Sequence, residues 1–113
     1  MSINARKKGH AFELDVVRWM KEAGFDEAIT TRLGSKMLDD QKQDIMNTGN
    51  IIIQCKAVEA LNVHKAYNEM PQKEGMFNIL FHKKNRQGTL VTMSKDDWLE
   101  WLGMLMQNGI LKK

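Results

Sequence analysis

Gln54 and Lys56 stand two residues apart in the run Ile51–Ala57, which reads Ile-Ile-Ile-Gln-Cys-Lys-Ala, with Asp44 a short way upstream. On a strand, side chains at i and i+2 share a face, so Gln54 and Lys56 project together with Ile52. Ile51, Ile53 and Cys55 face the other way. Apolar residues on both faces predict a strand covered on both sides. An amide and an ammonium group are unfavourable there unless something compensates them, and a metal ion and a phosphate would do so. Glu13 joins this set from a different part of the chain. On a helical wheel over residues 8–24, Phe12, Val16, Trp19, Met20 and Ala23 share one arc, with Val17 at its edge, and Glu13 falls inside that arc. A carboxylate on a core-facing stripe needs a partner, or its pKa rises until it is neutral. The pattern equally fits a glutamate at the boundary that reaches water or a nearby lysine.

Carboxylate and amide oxygens are hard ligands suited to Mg²⁺ or Mn²⁺, so Glu13, Asp44 and Gln54 form a candidate metal site with Lys56 beside it. Such an ion can bind a scissile phosphate, acidify a bound water and stabilise the charge that develops on displacement. Lys56 could position or deprotonate the attacking water, or neutralise the phosphate; its type alone does not choose. Zinc is disfavoured, because Cys55 stands alone and His10, His64 and His82 lack ligand spacing. The chain carries no phosphate-cradling glycine loop and no nucleophile elbow.

The elements that must position these residues follow from periodicity and turn signals. A first helix spans residues 8–24 and ends at Gly24. A short strand is expected over 27–32, ended by Gly34-Ser35, and 36–42 is polar enough for a mobile loop. Residues 43–46 and Ile51–Ala57 form a hairpin. Its register matters: a two- or four-residue loop pairs Asp44 with Ile53, on the face opposite Gln54. A three-residue loop, Thr48-Gly49-Asn50, pairs Asp44 with Gln54. The metal-site reading requires the second register, or a bulge with the same result. Asn62 caps a helix over 63–70, with Val63, Ala66, Tyr67 and Met70 as its buried stripe and Pro71 beyond its end. An apolar strand at 77–82, a turn at 85–88 and a strand at 89–93 follow. Ser94 then caps a last helix, with Asp96 and Asp97 in its first turn and Trp98, Leu99, Trp101, Leu102, Leu105 and Met106 facing the core. The order αβββαββα predicts an α/β (α+β) domain with a mixed sheet, antiparallel at its start and flanked by helices.

The 113 residues are expected to form one domain with its own hydrophobic core, being 42% hydrophobic and 27% charged, with one proline. A single cysteine gives no sign of an oxidising compartment, and no stretch is long and apolar enough for a membrane span, so a cytoplasmic protein is expected. The net charge of +3 is compatible with a nucleic-acid partner without establishing one. The clusters Arg6-Lys7-Lys8, Lys83-Lys84-Asn85-Arg86 and Lys112-Lys113 read most simply as solvated termini and turns.

The ordered set Arg6-Lys7-Lys8-Gly9, Glu13, Arg32-Leu33-Gly34-Ser35, Asp44-Ile45 and Ile53-Gln54-Cys55-Lys56 resembles the archaeal-type Holliday junction resolvases of the PD-(D/E)XK nuclease superfamily. By motif the likeness covers the first half of the chain, and by element order the rest. It implies a restriction-endonuclease-like fold and a Mg²⁺- or Mn²⁺-dependent endodeoxyribonuclease. Such an enzyme nicks four-way DNA junctions symmetrically, as a homodimer. It further implies that Glu13 is the helix-borne acid beside the metal and that Asp44 is the metal-binding aspartate. Gln54 stands where a second acid is usual, and Lys56 is the motif lysine. Arg6, Lys7, Lys8, Arg32 and Ser35 are implied as DNA contacts. The Ile-Gln-Cys-Lys run also resembles Mrr-like restriction nucleases, so a restriction-type enzyme is one alternative. A DNA-binding protein on an inactive nuclease scaffold is another. A compact resolvase would suit a virus or mobile element as well as a cell.

Overall fold

The computed structural model describes residues 3–113. The first helix, α1 (Ile3–Glu22), begins five residues before the expected start at residue 8, so Arg6, Lys7 and Lys8 are helical. Its end is as the glycine signal predicts. Gly24 takes φ +122°, and the Phe25 N–H donates back to the Met20 carbonyl at 3.0 Å, closing the last turn. Phe12, Val16, Val17 and Met20 are buried and Trp19 packs against them, whereas Ala23, expected on the same arc, is exposed.

Five strands follow in the sheet order β1-β2-β3-β4-β5. They are β1 (Ile29–Thr30), β2 (Ile45–Met46), β3 (Ile51–Ala57), β4 (Phe77–Lys83) and β5 (Leu90–Thr92). All neighbours are antiparallel except β3 and β4, which run parallel over seven residue pairs. A parallel pair needs a crossover, and α4 (Val63–Asn68) supplies it, so the mixed sheet expected from the element order is the one observed. Alternation along β3 sorts its side chains as the sequence predicts. Ile51, Ile53, Cys55 and Ala57 pack in the layer under α1 with Ile45 and Ile79. Ile52 packs in the opposite layer with Ala66, Met70 and Leu80. The Asn62 side chain accepts from the Lys65 N–H at 3.0 Å and caps α4, which stops two residues short of the expected 70.

Two expectations are corrected between β1 and β2. The strand expected over 27–32 keeps only two residues in the ladder. Thr31–Gly34 turns into a short helix, α2, and Lys36–Asp40, expected as a mobile loop, is a further helix, α3. The reason is a set of tertiary hydrogen bonds. The Thr31 N–H donates to the Asp44 carbonyl (2.8 Å) and its hydroxyl to the Gln43 carbonyl (2.6 Å), which pulls the chain out of strand geometry. Gly34 tolerates the result because a Cβ there would come 2.7 Å from the Met46 sulfur. Ser35 then caps α3, its hydroxyl accepting from the Leu38 N–H, and a Lys36–Asp40 ion pair spans the helix at 3.1 Å.

The last helix, α5 (Lys95–Gln107), is capped as expected, with the Ser94 hydroxyl accepting from the Asp97 N–H at 3.0 Å. Tyr67 ties its start to the sheet: the hydroxyl accepts from the Ser94 N–H and donates to the Asn78 carbonyl. Trp101 meets Phe77 edge to face at 5.4 Å. Of the other residues expected to face the core, Leu102, Leu105 and Met106 are half-buried, whereas Trp98 and Leu99 depart from expectation. No residue of α5 is fully buried, and Trp98 and Leu99 are about half exposed (48% and 52%). The helix is tied to the sheet by its first turn and by Trp101, which also packs against the core under α1, and it is not sunk into the core. No helix among the described residues is long and apolar enough to cross a membrane.

Candidate functional site

The hairpin register decides whether Asp44 can meet Gln54. The ladder pairs Ile45 with Ile53, which belongs to the register of a three-residue loop, and Gly49 takes the positive φ (62°) that such a loop demands. At the same time the Asp44 N–H donates to the Ile53 carbonyl at 2.7 Å, so Asp44 and Ile45 share one residue of β3. That is the geometry of a bulge, which ends the pairing and re-aims the side chain at the break. Beyond it β2 has gone, and β3 runs on from Gln54 to Ala57 with an open edge. The Asp44 carboxylate occupies that edge, accepting from the Cys55 N–H at 2.7 Å where a neighbouring strand would have offered a carbonyl.

A cleft of about 460 Å³ lies along this open edge, and Glu13, Asp44, Gln54 and Lys56 all line it. Glu13 reaches it from α1, Asp44 from the bulge, and Gln54 and Lys56 from β3. Arg6, His10 and Lys42 line it too. His10 and Lys42 were not among the residues singled out from the sequence. The signal for His10 was present, because Arg6, His10 and Glu13 fall at i, i+4 and i+7 on one helical face once the helix is begun at Ile3. Lys42 had none: it reaches the cleft through a left-handed turn (φ 64°) after α3.

Among the expected DNA contacts, Arg6 lines the cleft, whereas Lys7, Lys8, Arg32 and Ser35 do not. Arg32 has a different partner. Its Nε donates to a Glu13 oxygen at 3.2 Å, with both side chains largely buried (27% and 15% exposed). The Thr31-to-Ser35 segment is therefore a positioning device. Thr31 anchors it to the Gln43 carbonyl, Arg32 orients Glu13, Gly34 admits Met46, and Ser35 starts the helix that brings Asp39 to the cleft.

The cleft mixes carboxylates with cations, and burial dominates the titration of its two inner acids. Burial, and then the negative charge of Asp44, push the Glu13 carboxyl up from 4.5 to about 7, against the Arg32 contact, which pulls it down. Burial also raises Asp44, opposed by the Cys55 N–H and the charge of Lys56. Gln54 is 1% exposed, and its Oε1 is one of three buried side-chain oxygens without a hydrogen-bond partner among the described residues. The other two, on Thr30 and Gln43, do not line the cleft. A buried acceptor with no donor is unfavourable by about 1–3 kcal/mol. Two carboxylates disfavoured as anions, and an orphaned amide oxygen on a residue that lines the same cleft, are donors of the type a hard divalent cation takes. Among the described residues no three His, Cys, Asp or Glu side chains cluster as ligands.

Cys55 borders the same cleft as a half-buried thiol whose surroundings disfavour the thiolate. Burial, and then the charges of Asp44 and Glu13, raise its thiol well above 9.0. In the native protein at pH 8 it is expected to react with a thiol reagent roughly a hundredfold slower than in urea. Equal rates in the two conditions would contradict this burial.

Comparison with protein-family models, characterised proteins and solved structures returned no match. The functional reading therefore rests on the residues and their geometry.

Proposed function

We propose that the protein is a metal-dependent endonuclease that cuts branched DNA, with the four-way junction as its substrate and two copies of the chain acting together. The observation that carries this reading is the assembly of Glu13, Asp44, Gln54 and Lys56 on one cleft from three separate elements. The likeness of the ordered motifs to the PD-(D/E)XK resolvases supports the substrate. Mg²⁺ or Mn²⁺ held by Asp44, Glu13 and the Gln54 amide oxygen would supply Lewis-acid charge stabilisation at the scissile phosphate and a more acidic water. Arg32 holds the Glu13 carboxylate in place from behind. Lys56, Arg6 and Lys42 give the cleft three cations to meet a phosphodiester, and Lys56, whose charge acts on Asp44, is the cation that balances developing negative charge. Binding through phosphates and junction shape makes cutting tolerant of sequence and sensitive to salt.

A chain with one such site cuts one strand, so symmetric nicking needs a second copy. Seven of the twelve exposed large apolar side chains among the described residues fall between Leu90 and Leu111, on β5, on α5 and just beyond it. Of these, Trp98, Leu99 and Met104 lie on α5, and they support the exposed surface of that helix as the site of self-association. Trp98→Glu is expected to convert a dimer to a folded monomer by light scattering and to turn paired nicks into single ones. A wild-type monomer that nicks both strands symmetrically would remove the dimer from this reading.

The direct test is cleavage of a synthetic immobile four-way junction with Mg²⁺ or Mn²⁺, beside linear duplex of the same sequence. Paired symmetric nicks in the junction alone are expected. Equal cutting of the linear duplex favours the restriction-type enzyme, and tight binding without cleavage in either metal favours the inactive scaffold.

A further inference from the structure

The basic turn after β4, which composition alone leaves as a solvated cluster, lies on a continuation of the cleft. Two more concavities adjoin it, of about 260 and about 420 Å³. Val58, the residue after β3, lines all three; Lys56 lines the first and the smaller, and Leu61 lines both of the new ones. They form one trough that starts at the candidate metal site, passes Val58 and ends at the β4–β5 turn. Beyond the first cleft its lysines are Lys56, then Lys65 on α4, then Lys83 and Lys84 at the turn, with His82 beside them. Apolar side chains of Val58, Leu61 and Leu90 lie between them. Glu69 lines the middle section, while the far section has no acidic lining residue.

The far end is held firmly. Lys56 pairs with His82 and Ala57 with Lys83 in the parallel ladder, which sets the turn against the end of β3. Glu59 accepts from the Asn85 N–H at 2.9 Å, so the nearby carboxylate is engaged in fixing the turn. Lys83 is engaged as well, its ammonium 5.1 Å from the Phe12 ring centroid. Lys65 and Lys84 are exposed and form no ion pair within 4.0 Å among the described residues. A line of separated lysines with apolar floor between them matches a sugar–phosphate backbone, which alternates a charge with an uncharged ring. An acidic peptide would need backbone donors or an arginine fork for its carboxylates, and beyond the first cleft, which Arg6 lines, no arginine lines the trough.

Resting on the nuclease reading above, we infer that this trough holds the DNA backbone leaving the scissile phosphate, with Lys65 and Lys84 as two successive phosphate contacts. The test is the salt dependence of binding to a labelled four-way junction in EDTA, where no cleavage occurs. The wild type, Lys84→Ala, Lys65→Ala/Lys84→Ala and a control Lys112→Ala/Lys113→Ala are compared. Each phosphate contact contributes close to one unit to the slope of log K against log[salt], so the Lys65→Ala/Lys84→Ala protein should lose about two units and Lys84→Ala about one. The control should keep the wild-type slope, and thermal melts should coincide because both lysines are exposed. A wild-type slope in the Lys65→Ala/Lys84→Ala protein overturns the trough while leaving the nuclease reading intact. Failure of the wild type to bind any junction overturns both.

Discussion

Asp44→Asn should abolish junction cleavage, by about a thousandfold or more, and at the same time make the protein more stable at pH 8. Both effects come from one carboxylate. Asparagine keeps an oxygen to accept from the Cys55 N–H, now 2.7 Å from the aspartate, but removes the charge that a metal ion requires. The gain in stability follows from the direction of the Asp44 pKa. Burial raises it above its ordinary 3.8, so the folded state holds its proton more tightly than the unfolded chain does. Above the folded-state pKa the ionised group therefore weighs against folding. As the pH falls through that value the penalty disappears. The melting-temperature advantage of the Asn variant should accordingly be largest at pH 8 and vanish near pH 4, measured without divalent cations. Divalent cations should narrow it, by stabilising the wild type alone. An Asn variant that cleaves normally would remove Asp44 from the chemistry. One that melts lower at pH 8 would show that the Cys55 contact and Lys56 outweigh burial.

Gln54→Glu should produce the opposite balance. At 1% exposure, a third carboxylate beside Asp44 and Glu13 is driven toward its neutral form. In metal-free buffer at pH 8 this should cost about 3 kcal/mol or more, read as a shift of the urea midpoint. A folded-state pKa raised in this way means the loss shrinks as the solution is acidified toward pH 4. Millimolar Mn²⁺ should then restore much of the midpoint, with a larger metal-induced shift than in the wild type, because three anions now surround the ion. Equal responses to Mn²⁺ in the two proteins would mean that the Gln54 oxygen faces no cation. Cleavage assays on the same pair would tell whether the amide limits the reaction.

How far the sequence reaches can be judged residue by residue. The pairing of Gln54 with Lys56 on one face follows from a two-residue spacing on a strand, and the layers on either side of β3 match it. Asp44 was legible as a choice of two registers, and a bulge resolved it. Glu13 was legible as a charge inside an apolar arc, but its partner was not. Arg32 reaches Glu13 because Thr31 leaves the sheet, and Thr31 leaves through hydrogen bonds to Gln43 and Asp44, twelve and thirteen positions on in sequence. Local propensity in Ala-Ile-Thr-Thr-Arg reads as strand, and only tertiary contacts turn it into a helical step. Trp98 and Leu99 follow the same logic in reverse. Their periodicity marks an apolar helix face, but periodicity does not say whether the surface that covers it belongs to this chain.

The open edge of β3 carries a further consequence for solubility. An unpaired strand edge offers a row of backbone groups to any passing chain, and it is the usual starting point for sheet-to-sheet aggregation. Here the row is interrupted at its first free N–H, which the Asp44 carboxylate has already taken, and Lys56 follows on the same strand. An incoming strand would have to displace one charge and bury another. The groups that keep the cleft open to a substrate thus also keep it closed to another polypeptide, so neutralising them together should make the protein prone to precipitation even where it makes the fold more stable.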